Sequence, residues 1–471
     1  MSGACGAPYI AVPMTLLDRS DPRPVHFVGI AGAGMSGLAE LFTRRGIAVT
    51  GCDAQLGDAA DLRRLGITLF DGHDPAHLDQ ARAVVVTSAV PRDHPELARA
   101  RALGLPVVRR AEALGEAVAG GELVAIAGTH GKTTTTVLTT EALEAAGLGP
   151  TGVVGGRVAS WEGNLRLGGD RLFVVEADEY DRSFLALTPT VAVITNVEAD
   201  HLDIYTDLDD IMATFARFAE PARVVVRCAD DEGAGRIALP AGADVIGYGL
   251  GAGARLRATD VHPLDGGSRF DVAFDDRPLG EVMLRVPGTH NVQNALAAIG
   301  SGLALGASLD QLAVGLAKFG GVQRRFQRLG EEGGVLVVDD YAHHPTEIRA
   351  TLAAARAAYP DRRLVAAFQP HLYSRTRDFA GDFGAALAAA DSVFLTAIYP
   401  AREQPIPGVT SALIADAIRG ERDVALWTGA RPDLAEALAG AVRAGDIVIT
   451  LGAGDITLTG PDLLRRLAGP R

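Results

Sequence analysis

The chain has 471 residues, of which 48% are hydrophobic and 22% charged, proportions typical of a globular protein with about three domains. Its net charge of -14, without any basic block, argues against a nucleic-acid-binding surface. Three cysteines, Cys5, Cys52 and Cys228, lie far apart without CxxC or metal-type spacing, which favours a reducing, cytoplasmic location.

The chain begins with a segment, residues 1–22, that lacks both a basic n-region and a long apolar core. It therefore matches neither a signal peptide nor a membrane-spanning helix. We expect a loose N-terminal extension and no membrane insertion.

The rest of the chain alternates Val/Ile/Ala runs with stretches of helical period, which is typical of parallel α/β folds. This pattern begins afresh at residues 25–30, 122–129 and 334–341. Glycine-rich stretches precede the last two of these strands and favour boundaries near 120 and 325. The predicted domains are residues 23–120, residues 121–325 with a mostly β subregion at 223–287, and residues 326–471.

The first predicted strand, residues 25–30, is followed by a glycine loop. Gly32, Gly34 and Gly37 form a G-x-G-x-x-G pattern, and Asp53 ends the next strand about 20 residues further on. Such a loop places a pyrophosphate at a helix N-terminus. The motif is compatible with an NAD-linked enzyme, with a diphosphate sugar nucleotide site and with a purely structural tight turn.

The central domain has a strand, a glycine loop and a Thr-rich helix in succession in the segment AIAGTHGKTTTT. Lys132 in this loop is one of only two lysines among 44 basic residues. A compact ammonium group fits between phosphates where a planar guanidinium is too wide. Although Ile126 replaces the first glycine of a full Walker motif, the loop predicts a phosphate site, with a Thr-rich helix cap as the alternative.

Carboxylate and imidazole side chains follow two later strands of this domain. Glu176 ends the run LFVVE, and His201 lies in the segment NVEADHLDIY after the run VAVIT. A P-loop nucleotidase needs such ligands at neighbouring strand ends to hold Mg²⁺ against the nucleotide phosphates. We predict that these two residues bind Mg²⁺ together with a threonine after Lys132; the alternative is an exposed acidic loop.

Histidines and arginines follow two predicted strands of the third domain, in the segments VDDYAHHPTEI and FQPHLYSRTRDF. Because the carboxyl ends of parallel strands share one sheet edge, these side chains are expected to gather there. Arginines at such an edge bind a carboxylate or phosphate with paired hydrogen bonds. The set consists of His343, His344, His371, Arg375 and Arg377.

In this order, the motifs resemble those of the Mur ligase family, and specifically of its alanine-adding branch. The resemblance extends from about residue 25 to the C-terminus. It rests on the segments AGTHGKTTT, EADEYDRSFL, NVEADHLDIY, GTHNVQNALAA, VQRRF, VDDYAHHPTEI, FQPHLYSRTRDF, YPAREQPIPG and GAGDI.

The resemblance implies an α/β fold of three domains: an N-terminal Rossmann-like domain for a UDP-sugar, a central P-loop ATPase-type domain and a C-terminal Rossmann-like domain that closes on the active site. It implies a ligase of peptidoglycan synthesis that uses ATP and Mg²⁺, with UDP-N-acetylmuramate and L-alanine as substrates. ATP would convert the lactyl carboxylate to an acyl phosphate, which the amine of alanine then attacks. No nucleic-acid partner is implied, and monomer and homodimer both stay open.

The family's functional residues transfer, by resemblance, to matching positions of this sequence. The catalytic positions would be Lys132, Glu176, His201, His343 and Arg375, and the metal ligands Thr133, Glu176 and His201. The ATP-binding positions would be Gly128, Thr129, His130, Gly131, Lys132, Thr133, Thr134, Asn291, Asn294, Arg325 and Asp340. The UDP-sugar-binding positions would be Gly29, Gly32, Ala33, Gly34, Met35, Ser36, Asp53, Ser88, Arg109 and His371.

The sequence departs from the commonest family pattern at three positions: Leu372 stands where many relatives have arginine, Tyr180 replaces a frequent serine and Ala31 replaces a glycine. No lysine lies between positions 132 and 318 to serve as the carbamylated lysine of other branches, which fits the alanine-adding branch. The alternatives are a ligase of the same family that attaches a recycled tripeptide and, more distantly, an NAD-linked oxidoreductase or a non-catalytic nucleotide sensor.

Overall fold

The computed structural model describes residues 15–57, 59–87, 89–201, 204–401 and 403–469. Buried runs of Val, Ile and Ala form three separate sheets, each flanked by helices. The α/β class and the arrangement in three domains are therefore confirmed. The predicted boundaries near 120 and 325 fall in the connections between these sheets.

The first domain is built on a five-stranded parallel sheet. Its strands are β1 (Val25–Val28), β2 (Val49–Asp53), β3 (Thr68–Asp71), β4 (Ala83–Val86) and β5 (Val107–Arg109). Its helices are α1 (Ala33–Arg44), α2 (Ala60–Arg64), α3 (Pro95–Leu103) and α4 (Arg110–Val118), with a 3₁₀ turn at Pro75–Leu78. The strand order is β3-β2-β1-β4-β5, so the glycine loop between β1 and α1 lies at the centre of the sheet's carboxyl edge.

The described part of the N-terminal segment, residues 15–22, is attached to this domain. Leu16 is fully buried, and the Arg82 guanidinium donates a hydrogen bond to its carbonyl at 2.8 Å. The Thr15 hydroxyl donates to a carboxylate oxygen of Glu116 at 2.8 Å. The expectation of a loose extension is therefore wrong for these residues, because an apolar side chain and a buried arginine fix them to the domain. The preceding residues lie outside the described part of the chain.

The central domain is built on a ten-stranded sheet in the order β15-β14-β13-β12-β11-β10-β6-β9-β7-β8. These strands are β6 (Glu122–Ala127), β7 (Thr151–Val158), β8 (Gly163–Arg166), β9 (Leu172–Glu176), β10 (Val191–Ile194), β11 (Val224–Cys228), β12 (Asp244–Gly249), β13 (Leu256–Leu264), β14 (Gly267–Phe274) and β15 (Arg277–Leu284). The helices are α5 (Lys132–Ala145), α6 (Leu208–Ala219), α7 (Glu232–Arg236), α8 (Thr289–Ala304) and α9 (Leu309–Lys318), with 3₁₀ turns at Ala159–Trp161 and Tyr180–Ala186. Strands β11 to β15 confirm the predicted β subregion.

The third domain has a six-stranded sheet in the order β16-β17-β21-β18-β19-β20, parallel except for β16. The strands are β16 (Gln327–Glu332), β17 (Val335–Asp340), β18 (Arg363–Phe368), β19 (Ser392–Thr396), β20 (Ala425–Gly429) and β21 (Asp446–Leu451). The helices are α10 (Pro345–Ala358), α11 (Tyr373–Asp378), α12 (Ala380–Leu387), α13 (Ala412–Glu421), α14 (Arg431–Ala441) and α15 (Thr459–Leu467), with a 3₁₀ turn at Asp455–Leu458. None of the helices in the described ranges combines the length and apolar character needed to cross a bilayer.

Apolar packing is shared between the first two domains. Phe27 and Phe42 of the first domain belong to the same buried cluster as Phe173 and Phe184 of the central domain. The third domain has separate clusters on the two faces of its own sheet. The first two domains are therefore joined by apolar packing, whereas the third has its own core.

Candidate functional site

The loop after β6 has a backbone that only glycine accommodates easily. Gly128 has φ +142° and Gly131 has φ +83°, in the region that disfavours L side chains. A Cβ on Gly131 would lie 2.7 Å from the Asn294 Oδ1 atom. Helix α5 begins at the next residue, so the loop places backbone N–H groups and a helix N-terminus where an anion binds.

Lys132 lies in this loop with all three of its hydrogen-bond donors engaged. Its Nζ donates to the carbonyls of Gly128 (2.6 Å) and Thr129 (3.1 Å) and contacts the Glu179 Oε2 atom at 2.8 Å. Burial alone would lower the pKa of Lys132, but attraction to Glu179 and Asp178 outweighs burial and raises it. The ammonium group is therefore charged, and a bound phosphate would have to replace at least one of these partners.

Thr133 and Glu176 lie side by side at the start of α5 and the end of β9. The Thr133 hydroxyl donates to Glu176 Oε1 at 3.0 Å, and the Gly155 N–H donates to Oε2 at 2.6 Å. A hydroxyl and a carboxylate beside a phosphate loop are the oxygen ligands that Mg²⁺ prefers. The two predicted residues are thus brought together in a geometry that fits this ion.

His201 lies apart from that pair but next to Glu179. It has φ +54°, and its Nε2 is 3.6 Å from Glu179 Oε1 and 3.9 Å from Asp200 Oδ2. Burial would lower the pKa of His201, but these two carboxylates outweigh it and raise the pKa. Arg375 of the third domain donates to Asp200 at 3.0 Å, so the structure joins two of the predicted catalytic residues through an acidic residue that was not predicted.

A cavity of about 300 Å³ lies between the central and third domains. Of the predicted ATP-binding residues, those that line it are His130, Gly131, Thr134, Asn291, Asn294, Arg325 and Asp340. The amide of Asn294 donates to Asn291 Oδ1 at 3.2 Å and accepts from the Thr135 hydroxyl at 3.1 Å, which fixes both asparagines against α5. Gly128, Thr129 and Lys132 form the loop beside this cavity without lining it.

His130 connects the two domains across this cavity. Its ring lies 3.6 Å from Glu198 Oε2 of the central domain and 3.4 Å from Glu347 Oε1 of the third. Burial would lower the pKa of His130, but the two carboxylates outweigh it and raise the pKa to about 9. At the same junction, the Thr346 hydroxyl of the third domain donates a hydrogen bond to the Glu198 carboxylate at 2.8 Å.

Asp340, at the end of β17, is buried, and burial raises its pKa to about 6. Its two carboxylate oxygens accept backbone N–H groups of Phe326 and Ala342, each at 2.8 Å. Arg325 lies 3.5 Å from Glu347 and over the ring of Tyr341, 5.2 Å from its centroid. These contacts fix the VQRRF segment to the edge of the third sheet.

A larger cleft, of about 900 Å³, extends from the first domain to the phosphate loop. Of the predicted UDP-sugar residues, those that line it are Gly29, Gly32, Ala33, Gly34, Met35 and Asp53. Thr133 and Glu176 line the same cleft, and Arg325 lines both this cleft and the cavity between the central and third domains. One continuous space therefore contains the first-domain glycine loop and two of the three predicted metal ligands, Thr133 and Glu176.

Three of the predicted UDP-sugar residues do not line this cleft, and a fourth lies outside the described residues. The Ser36 hydroxyl donates to the Ala33 carbonyl at 2.9 Å beside a smaller pocket, and Ser88 lies outside the described residues. Arg109 pairs with Asp181 at 3.0 Å on the surface, whereas its neighbour Arg110 lines the cleft. The ring of His371 lies 5.9 Å from that of His343, outside the cleft.

Of the five third-domain residues predicted to gather at one edge, four do so. His343 and His371 are adjacent, His344 lies at the N-cap of α10 with its ring 4.8 Å from that of His130, and Arg375 reaches Asp200. Arg377 instead pairs with the neighbouring Asp378 on the exposed side of α11. It does not face the site, because it is two residues from Arg375 on a helix.

Sequence reasoning missed the carboxylates that hold the site's cations. Glu179 lies in the same EADE segment as Glu176, and Glu198 in the same segment as His201. Glu347 lies in the first turn of α10, four residues after His343, and its carboxylate accepts the His343 backbone N–H at 2.9 Å. Their short distance in sequence from the predicted residues was the signal that could have identified these carboxylates.

Three family models match consecutive parts of the chain: the Mur ligase family catalytic domain at residues 24–121, the Mur ligase middle domain at 126–302 and the Mur ligase glutamate ligase domain at 324–454. UDP-N-acetylmuramate–L-alanine ligase of Acidothermus cellulolyticus is 47% identical over 96% of this chain and 98% of its own length. The enzyme of that name from Cutibacterium acnes is 46% identical over 97% of this chain and 98% of its own.

Solved structures give the same result. UDP-N-acetylmuramate-alanine ligase from Thermotoga maritima is 30% identical, with a TM-score of 0.81 over 94% of this chain and 98% of its own. A murein peptide ligase from Psychrobacter arcticus is 26% identical, with a TM-score of 0.70 over 95% and 99%. The sequence, the three-domain fold and the arrangement of the phosphate loop agree: this chain belongs to the Mur ligase family.

Proposed function

We propose that this protein joins L-alanine to the lactyl carboxylate of UDP-N-acetylmuramate, cleaving ATP to ADP and phosphate, in peptidoglycan precursor synthesis. The observation that carries the proposal is the single cleft that contains both the first-domain glycine loop and the Thr133–Glu176 pair. The adjoining cavity supplies a place for ATP, with Arg325 at the boundary of the two. The relatives described above are named for UDP-N-acetylmuramate and L-alanine, the two substrates of this proposal.

In this proposal, the UDP diphosphate binds at the loop from Gly29 to Gly34, and the sugar extends toward Glu176. Asp53 supports the loop, since its carboxylate accepts the Ala31 N–H at 3.0 Å. The adenosine of ATP occupies the cavity lined by Asn291 and Asn294, with its phosphates on the Gly128–Thr134 loop. The lactyl carboxylate then meets the γ-phosphate beside Lys132.

The residues present fit Mg²⁺, which we assign to Thr133 and Glu176, with His201 near a second position. When bound, Mg²⁺ would neutralise charge on the nucleotide phosphates. His201 is engaged by two carboxylates in this structure, so its assignment rests on the resemblance alone. We also infer a cytoplasmic enzyme with domain boundaries near 120 and 325.

The chain's own groups account for the chemistry. Attack of an amine on a free carboxylate would have to expel oxide, so the carboxylate first takes the γ-phosphoryl group and becomes an acyl phosphate. Lys132 stabilises the charge on the transferring oxygens. The neutral amine of alanine then attacks the acyl carbon, and phosphate departs from the tetrahedral intermediate. His343 and Arg375, at the third-domain edge, are the proposed groups around the amine and the muramoyl carboxylate.

The test is ADP release by the purified chain with Mg²⁺, ATP and UDP-N-acetylmuramate, with and without L-alanine. Alanine-dependent release, with the alanyl product identified by mass, supports the proposal. Turnover with L-Ala-γ-D-Glu-meso-diaminopimelate in place of alanine would instead indicate a tripeptide ligase, the activity named for a related structure from Neisseria meningitides. Silence with both amines would contradict the proposal.

A further inference from the structure

A cluster of metal-binding side chains lies in the first domain, outside the groups assigned to ATP and Mg²⁺. His26 comes from β1, Cys52 from β2, His77 from the 3₁₀ turn Pro75–Leu78 and Glu96 from α3. One donor atom of each residue lies within 4.8 Å of the other three. The side chains of His26 and Glu96 are fully buried, so this is an interior cluster rather than a solvated acidic patch.

The donor atoms converge on one carboxylate oxygen. Glu96 Oε1 lies 3.2 Å from Cys52 Sγ, 2.9 Å from His77 Nδ1 and 3.9 Å from His26 Nε2. Ligand bonds to zinc of about 2.0–2.3 Å place the donors of a tetrahedral site roughly 3.3–3.8 Å apart. Small side-chain movements would therefore convert this cluster to a closed tetrahedral set.

His26 provides an independent indication of a ligand. Its Nδ1 is held by the Thr50 hydroxyl at 2.9 Å, while the buried Nε2 has no hydrogen-bond partner among the described residues and faces Glu96. A metal-ligating histidine characteristically has one ring nitrogen fixed by a protein group and the other directed at the ion. An unpartnered buried nitrogen is otherwise unfavourable, because it gives up its hydrogen bonds to water.

Hydrogen bonds within the cluster hold it together without an ion. The Asp74 N–H donates to His77 Nδ1 and to Glu96 Oε1, both at 3.3 Å, and a metal would replace these long contacts. On the other side, His73 Nδ1 lies 3.2 Å from Glu96 Oε2 and 3.2 Å from Cys52 Sγ. His94 approaches the same oxygen at 3.8 Å.

We propose that His26, Cys52, His77 and Glu96 form a binding site for a divalent transition-metal ion of the zinc class. The two neutral imidazoles, one thiolate and one carboxylate balance the charge of such an ion, and the thiol proton passes to solvent on binding. Sulfur and nitrogen donors select this class of ion over Mg²⁺, which the oxygen ligands Thr133 and Glu176 favour. The ion would link four separate elements of the first domain: β1, β2, the 3₁₀ turn Pro75–Leu78 and α3.

The test uses Co²⁺ as a spectroscopic substitute for Zn²⁺, added to the chelator-treated full chain under reducing conditions with excess Mg²⁺. Thiolate ligation gives a charge-transfer band in the near ultraviolet, and a tetrahedral site gives intense visible bands. We expect both bands in the unaltered chain, saturating at one equivalent and abolished by one equivalent of Zn²⁺. An unaltered chain that gives no charge-transfer band overturns the proposal without any variant.

Variants then identify the ligands. Cys52→Ser should remove the charge-transfer band, and His26→Gln should weaken Zn²⁺ binding at least about tenfold. Cys228→Ser is the matched control, because Cys228 is also a buried free cysteine but lies in the central domain, and it should leave both bands unchanged. Circular dichroism verifies that each variant is folded. A band that persists in Cys52→Ser, or disappears in Cys228→Ser, overturns the assignment.

Discussion

At the scale of single residues, the buried pair of Lys132 and Glu179 determines how the phosphate loop is charged before ATP binds. The lysine was identified from its rarity in the sequence and from the glycines around it. Its partner was not, because a carboxylate in an acidic segment is indistinguishable from a surface residue until the strands β6 and β9 are placed side by side. Burial would raise the pKa of Glu179, but Lys132 and His201 outweigh burial and lower it.

Replacing Lys132 should therefore affect turnover and stability separately. Lys132→Ala should lower turnover at least about 1,000-fold, because the charge on the transferring phosphoryl group loses its partner. It should also lower the free energy of unfolding by about 3 kcal/mol, because the buried Glu179 carboxylate loses its nearest cation. Turnover is measured by ADP release and stability by urea unfolding.

Two further variants distinguish these effects. Lys132→Ala combined with Glu179→Gln should recover most of the stability and none of the activity, since the unpaired charge is removed. Lys318→Ala replaces the other lysine, which is exposed at the end of α9, and should change neither quantity. Near-normal turnover of Lys132→Ala would contradict the assigned role.

Glu176 gives a second prediction at this scale. Glu176→Gln keeps an acceptor for the Gly155 N–H but removes the negative charge beside Thr133. The Mg²⁺ concentration for half-maximal turnover should rise about tenfold or more, because a neutral amide oxygen is a weaker ligand than a carboxylate. An unchanged Mg²⁺ requirement would show that Glu176 does not hold the ion.

At the scale of elements, helix α5 shows which features of the fold are local. The Thr-rich run that starts at Thr133 and is closed by Gly147 predicts a helix, and the observed helix, Lys132–Ala145, agrees to within about two residues. The positive φ values of Arg324 and Phe326 in the VQRRF segment carry no such signal. They follow from contacts with distant elements, such as Arg324 with the Gly452 carbonyl.

Two glycines at opposite ends of α5 distinguish the effect of backbone strain from the effect of a contact in the ATP cavity. Gly131 and Gly147 have φ of +83° and +78°, so alanine at either position should lower stability by about 1–2 kcal/mol. Nothing lies within 4 Å of a Cβ on Gly147, whereas one on Gly131 meets Asn294 in the ATP cavity. Gly131→Ala alone should therefore weaken ATP binding, by at least about tenfold as measured calorimetrically; equal ATP affinities of the two variants would contradict this.

At the scale of the whole molecule, polar contacts rather than a shared apolar core join the third domain to the central one. Arg375 with Asp200, Thr346 with Glu198, and His130 between two carboxylates all cross this junction. Sequence motifs predicted that histidines and arginines gather at the third sheet's edge, but not their carboxylate partners. The metal-type cluster of the first domain was likewise invisible, because its four ligands lie on four elements up to 70 residues apart.

The protonated His130 makes the stability of this junction depend on pH. Because the pKa of His130 is raised to about 9 in the folded protein, its contribution is fully present below an unfolded value of about 6.5 and is lost as pH rises through 9. The contribution reaches at most about 3 kcal/mol. His344 stays neutral beside it, since burial and His130 lower the pKa of His344 to about 4.

His130→Gln removes this proton and should be less stable than the unaltered chain at pH 6. The difference in free energy of unfolding between the two proteins should shrink steadily between pH 6.5 and about 9, because the unaltered chain loses the same interaction by deprotonation. Urea unfolding without nucleotide across this range measures it, and His262→Gln, at an exposed histidine, is the control that should keep the difference near zero. A difference that does not vary with pH would mean that His130 is already neutral between Glu198 and Glu347, and that the two domains are joined without its charge.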